Sequence, residues 1–594
     1  MPRLRTAQEL IHWLEMGAGA RGIRLAAVLL GLLVLSGRVA WTQFHGATSE
    51  TTLVQADVGR QLAAGEGFTT RVNYPQVAAF LETRGQRFDP ARPYPELYYA
   101  PLYSLALGGA LRLLPESARA ALFASPAAPP AGFAADYFLL GLNVVLLWLT
   151  AWLAFDLARR LFDTRTAWLA LLALFVSAGI WRQTVTLTGA PLPMLLAVAA
   201  FWFWARLDRA LDAGDRRRAQ LGCVALGAAC GLLFLSEYAA GALVLVALGY
   251  AGWRGRFAAA LLVAAGFAIV AGPWLARNLA VAGHPVALAA QNVTLKAGDP
   301  TAEPATVRNT LAAGAPAISL PKLGNKTLTA LQQDVQSRLW SGGALVLLAF
   351  FVAGWLYAFR APTANRLRWI FTLSLGVLLL AQAALNSGES ERLASGWLAP
   401  LVIVFGAGFF FVLLGSNETL SRWPRLTAAV LLLAQALPLV RDVLEPPRLH
   451  FQYPPYFPSL FIGMREELQR RDRAERFGAM ADVPAGVAWY GGLRVWSQPA
   501  KLRDFHAIAL EQPIGELLLT PRTLDRPFFS ELAARPLEPG ALGAITNRFG
   551  DWGRVYAGLL TGVLPAEFPL RAPQKLADNL YVLLNPALPP PGEK

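Results

Sequence analysis

The sequence predicts a polytopic α-helical membrane protein with about eleven transmembrane helices, amphipathic surface helices in its first outer loop and a small C-terminal α/β domain. Three observations predict it. Of 594 residues 55% are hydrophobic and 15% charged, where soluble domains carry about 25% charged residues. The apolar residues fall in runs of span length, and arginines recur in alternate connections between those runs. The mean hydropathy of +0.40 agrees.

Composition also excludes some classes. The net charge of +14 is no nucleic-acid signature, because the basic residues sit in short loops between apolar runs. Cys223 and Cys230 lie in one apolar segment and read as small core residues. With five scattered histidines and no zinc-type spacing, a His-built metal centre is not expected.

The elements follow in order. Residues 6–16, TAQELIHWLEM, read as an interfacial helix, and Ile23 to Trp41 as an uncleaved first span. The first outer loop, 44–134, holds two amphipathic pieces. One, from Ser49, sets Leu53, Val54 and Leu62 among polar neighbours and stops at Gly65 and Gly67. The other opens at Pro101 and carries a leucine run broken by Gly108 and Gly109. Further spans are drawn at 135–158, 166–182, 187–205, 219–235, 238–253, 257–276, 341–359, 368–386, 395–414 and 424–441. Arg159, Arg160, Arg206, Arg209, Arg254, Arg366, Arg422 and Arg425 then share one side, which the charge rule makes cytoplasmic together with the N-terminus. The second large outer loop, 277–340, is too long for a mere connector.

The domain division is a membrane module, 1–442, and a soluble domain, 443–594, on the outer side. In the latter AERFGAMADV, GLRVWSQP, GELLLTP and NLYVLLN read as strands, MREELQRRDR and RPFFSELAAR as helices, and PALPPPGEK as a disordered end.

Polar residues that lipid packing would not retain carry the functional argument. Glu237 lies at an outer junction in GLLFLSEYAAG, Arg277, Asn278 and His284 in GPWLARNLAVAGHPV, and Glu391 and Arg392 in NSGESERLASGWLAP. With Glu50 and Asp57 they face one compartment, and charge near hydrocarbon is expensive and usually functional. Simpler readings stand beside this one. Arg277 and Arg392 serve equally as headgroup anchors, Glu237 as a helix-end carboxylate, and Asp57 with Arg60 as a surface pair. Trp41, Trp274, Trp340 and Trp397 fit an aromatic belt.

The order LAAGEGF, APLYSLALGGALRLL, GPWLARNLAVAGHPV, ERLASGWLAPL resembles the GT-C superfamily of integral-membrane glycosyltransferases, nearest the bacterial branch of aminoarabinose transferases and protein mannosyltransferases. The likeness covers roughly residues 23–415, and ADVPAGVAWYGGLRVW is similar to the outer tail of some bacterial members. The resemblance implies an inverting transfer of a sugar from a polyprenyl-phosphate carrier to a lipid, glycan or protein acceptor at the outer face of the inner membrane. It implies a carboxylate base in the first outer loop, Glu50 or Asp57. It also implies substrate-binding roles for Arg277, Asn278, Glu237, Glu391, Arg392, His284 and Tyr103, with Lys296, Lys322 or Lys326 assisting. A divalent metal is compatible with this reading and not required by it. Many relatives show an Asp-Glu pair where this chain has Glu50 followed by Thr51.

The chemistry fits those residue types. A lipid phosphate leaves readily, whereas an acceptor hydroxyl needs a positioned base, worth ~10²–10⁴ in rate. One base working opposite the leaving phosphate gives inversion, and arginine forks match phosphate oxygens. Two other readings remain. A lipid-linked sugar transporter or flippase would show repeated halves and broken midplane helices, and no internal repeat is visible. A catalytically inactive scaffold rests on the missing acidic pair.

Overall fold

A computed structural model describes residues 18–47, 49–87, 89, 92–124, 132–295, 305–314, 319–385, 392–446, 458–472, 475–524 and 550–590. The expected helices at 6–16 and 526–535, and Glu391, lie outside them.

Among the described residues seven helices are long and apolar enough to cross a membrane, and up to nine spans result if each of two bent pairs is one span. One of the seven, Tyr238–Ala282, has 45 residues and is two arms. Arg256 breaks it with φ 65° and ψ 178°. A Cβ built on Gly252 would lie 3.9 Å from the Ala260 Cβ, a separation that ~12 Å of straight helix over eight residues forbids. The two arms match the spans expected at 238–253 and 257–276. Pro191–Asp212, with 22 residues, packs between Ala134–Leu161 and Arg216–Ser236. Counting it, both arms and each bent pair gives eleven helical segments for the eleven expected runs.

Two spans differ from expectation. The run at 166–182 is split into Thr164–Phe175 and Ala178–Val185, bent by 52°. The run at 341–359 is a short arm, Leu345–Leu356, meeting Leu320–Ser341 at 115°. Twelve helical residues cover ~18 Å, less than a ~30 Å hydrocarbon core, so that arm does not cross alone. Hydropathy registers the apolar run but not the glycines, Gly342 and Gly343, at which the chain turns.

The arginines of the alternate connections meet at one end of the bundle. Asp156 pairs with Arg159 and Arg160, and Arg209 donates to the Arg160 carbonyl. Arg366 Nε donates to Asp208 Oδ1 at 2.9 Å, and both Arg254 and Arg366 reach Asp212.

At the opposite end lie the surface helices. The first, Glu50–Ala64, is capped by Ser49, whose side chain accepts from Thr52 N, and ends at Gly65 with φ 89°. The second is Leu102–Arg112. Gly108 does not break it. A Cβ there would come within 3.0 Å of the Gly59 carbonyl, so the pair Gly59 and Gly108 lets the two helices touch backbone to backbone.

The tail contributes β4 (Gly478–Ala481), β5 (Val495–Ser497), β6 (Ile514–Leu519), β7 (Arg571–Ala577) and β8 (Leu580–Leu584). The first loop contributes β1 (Thr69–Thr70), β2 (Val72–Asn73) and β3 (Tyr94–Pro95). β1 and β3 form their own antiparallel pair. β2 instead enters the six-stranded sheet, in the order β2-β5-β4-β6-β8-β7, and runs parallel to β5 with Val72 opposite Val495. A division at 442/443 is therefore bridged by backbone hydrogen bonding. A second seam joins the span Ala134–Leu161 to the tail, where Asp136 accepts from Trp489 Nε1 at 2.9 Å and Tyr490 Oη at 2.7 Å.

Candidate functional site

The first surface helix places Thr51 and Gln55 on one wall of a cavity of about 460 Å³. Tyr98, Tyr99 and Ala100, which lead into the second surface helix, form the adjoining wall. Glu237, the C-cap of Arg216–Ser236, and His284, just past the two-armed helix, complete it with Arg308 and Arg392.

Arg392 is 2% exposed. Its Nε donates to the Thr188 carbonyl at 2.6 Å, its Nη2 donates to Gln55 Oε1, and its guanidinium stands 5.1 Å over the Tyr103 ring. Gly189, at φ 70°, leaves the room for it: a Cβ there would sit 2.7 Å from Arg392 Nη2. Gln55 is fixed in turn by donating from Nε2 to the Ala100 carbonyl at 2.9 Å. Arg308, also 2% exposed, donates from Nη1 to Tyr99 Oη at 2.7 Å and stacks 4.3 Å from the Tyr98 ring centre.

Behind those tyrosines Glu96 is 1% exposed, accepting from the Tyr98 and Tyr99 backbone N–H groups at 2.6 and 3.1 Å. Burial raises its pKa, against the downward pull of those N–H groups and of the nearby Arg308 and Arg277.

The residues singled out in the sequence divide into groups. Glu237, His284 and Arg392 line the cavity, and Tyr103 supports Arg392 from beneath. Arg277 and Asn278 are not among its lining residues. Arg277 donates to the Glu96 carbonyl at 3.2 Å and to Asn278 Oδ1 at 2.9 Å, and stacks on Trp274. Asn278 donates to the Pro285 carbonyl at 3.0 Å. These contacts fasten the end of the two-armed helix to the first loop. Lys326 donates to the carbonyls of Asn292 and Val293, both cavity residues, while Lys322 is exposed. Lys296 lies outside the described residues.

Glu50 and Asp57 stand apart from the cavity lining. Glu50 pairs with Arg522 of the tail. Asp57, with no exposed surface, accepts from Thr70 Oγ1 at 3.0 Å and Arg71 N at 2.7 Å, and its Oδ1 lies 3.6 Å from Arg71 Nη1. The surface pair of Asp57 with Arg60 is replaced by this buried pair with Arg71. Arg60 instead donates to the Trp489 carbonyl and lies 3.8 Å over the Phe123 ring. Sequence reasoning missed Gln55, a polar residue on the buried face of an amphipathic helix, and Arg308, which has no local signal. Among the described residues no group of three or more His, Cys, Asp or Glu is placed to hold a metal ion.

No family model matches the chain, and no curated protein does. Solved structures share its architecture, among them these two. One is the crystal structure of the Archaeoglobus fulgidus oligosaccharyltransferase in complex with Zn and sulfate, at TM-score 0.52 and 12% identity, covering 85% of this chain and 69% of that one. The other is ArnT from Cupriavidus metallidurans bound to undecaprenyl phosphate, at TM-score 0.50 and 13% identity, covering 96% and 99%. Identities this low speak to fold. The chain is a multi-pass membrane protein with the GT-C fold of the glycosyltransferases that its motifs resemble.

Proposed function

We propose that this protein is an inverting glycosyltransferase that moves a sugar from a polyprenyl-phosphate carrier to an acceptor at the outer face of the inner membrane. The observation that carries the reading is the convergence of two buried arginines, Arg392 and Arg308, with the carboxylate of Glu237 on one cavity, at the end of the bundle away from the arginine-rich connections. Its partners are then the lipid-linked donor, a lipid, glycan or protein acceptor, and membrane lipids.

In this reading a base takes the acceptor hydroxyl proton, the acceptor oxygen attacks the anomeric carbon, and the bond from that carbon to the phosphate oxygen breaks on the far side. The lipid phosphate leaves with the electron pair, and Arg392 and Arg308 meet its charge through planar, charge-assisted donors. We assign the base to Glu237, which lines the cavity, rather than to Glu50, which is not among its lining residues. His284 and Tyr103 act in binding and positioning.

Single-turnover transfer from a labelled polyprenyl-phosphate sugar, by the full chain in lipid nanodiscs, tests the reading. Transfer with inversion supports it. Donor binding without transfer would favour the inactive scaffold, and movement of the donor across the bilayer would favour the flippase.

A further inference from the structure

A second cavity, of about 520 Å³, lies between the first loop and the tail sheet. That size falls within the ~300–1,000 Å³ of small-ligand sites. It is separate from the first cavity: Thr51 and Gln55 line one and Gln61 the other, six residues and ~9 Å further along the same helix. Asp57, between them, ties the helix to Arg71 at the second cavity's edge.

Its walls have a particular chemistry. Gln61 is 3% exposed, and its Oε1 has no hydrogen-bond partner among the described residues. The residue also contributes to the cavity wall, so its amide adds hydrogen-bonding capacity there. Gln512, 7% exposed, accepts from Trp496 Nε1 at 2.9 Å, so the indole sets the orientation of its amide. Arg71 and Arg494 share the lining with Glu66, Asp472 and Glu475, so neither sign dominates, and the half-buried ring of Phe477 supplies an apolar face. An anion would meet three carboxylates and a lipid tail would strand the amides and charges. A neutral chain of hydroxyl groups suits both the donors and acceptors and the ring.

We propose that this second cavity is a binding site for a neutral, hydroxyl-rich glycan segment. The inference goes beyond the transferase reading and does not depend on it, because binding here is read without any donor lipid.

The full chain in lipid nanodiscs is applied to an array of neutral, amino and uronic-acid oligosaccharides and acidic peptides. The expected result is retention of at least one neutral oligosaccharide, weakened tenfold or more by both Gln61→Leu and Glu66→Ala. Glu66 is exposed, so its variant tests the site without disturbing buried packing. Gln61→Leu removes an unpaired buried oxygen, and its melting temperature in the absence of glycan is expected to equal or exceed the parent's. Retention of no neutral oligosaccharide, retention of acidic probes alone, or binding unchanged by both variants would overturn the proposal.

Discussion

Arg392 donates from Nη2 to Gln55 Oε1 across 337 positions of sequence. This contact locks the first surface helix to the start of a late transmembrane segment and makes both residues walls of one cavity. Each side chain holds the other in place.

The fork of Arg392 is therefore expected to matter beyond its charge. Arg392→Lys keeps the charge and loses the planar donors. Losing a charge-assisted bond of about 1.5–3 kcal/mol should weaken undecaprenyl-phosphate binding about 10- to 100-fold. Titration of that lipid in nanodiscs checks it, with Lys322→Ala as an exposed control expected to change nothing.

Glu237 and Glu50 separate the two candidate bases. Glu237→Gln should slow single-turnover transfer by ~10²–10⁴ with lipid affinity nearly kept. Glu50→Gln gives up a partly exposed pair with Arg522, worth about 0–1 kcal/mol, and should leave the rate within severalfold. The reverse pattern would return the base to Glu50.

Asp57 is expected to act on stability. Asp57→Asn weakens the buried acceptor of Thr70 and Arg71, at a cost of about 1.5–3 kcal/mol for hydrogen bonds to a charged group. The variant should melt at lower temperature, while its folded fraction binds donor lipid normally. Loss of transfer at an unchanged melting temperature would make Asp57 catalytic.

Glu516 in β6 confers a pH dependence on the tail. It is 1% exposed, its Oε2 has no hydrogen-bond partner among the described residues, and burial beside Glu467 raises its pKa from 4.5 to about 8. The unfolded chain releases this proton near 4.5 and the folded chain keeps it until about 8. Stability conferred by the protonated form is thus complete below the lower value and falls as pH rises between them, by up to about 1.4 kcal/mol per pH unit. Hydrogen exchange over 514–519 at pH 5 and pH 8 should show more opening at pH 8, and Glu516→Gln should flatten the difference.

By itself the sequence determined the membrane class, the surface helix ending at Gly65 and the tail strands β4, β5, β6 and β8. Each of these depends on hydropathy, periodicity or a helix stop, all properties of a few neighbouring residues. Only the tertiary structure decided that Val72–Asn73 joins the tail sheet, since two residues carry no strand pattern. It likewise decided that Asp57 is buried against Arg71, that Glu50 meets Arg522, and that Arg308 arrives beside Tyr99. A charge's partner is set by which distant segment the bundle brings alongside it. That depends on packing across hundreds of residues, for which local spacing holds no record.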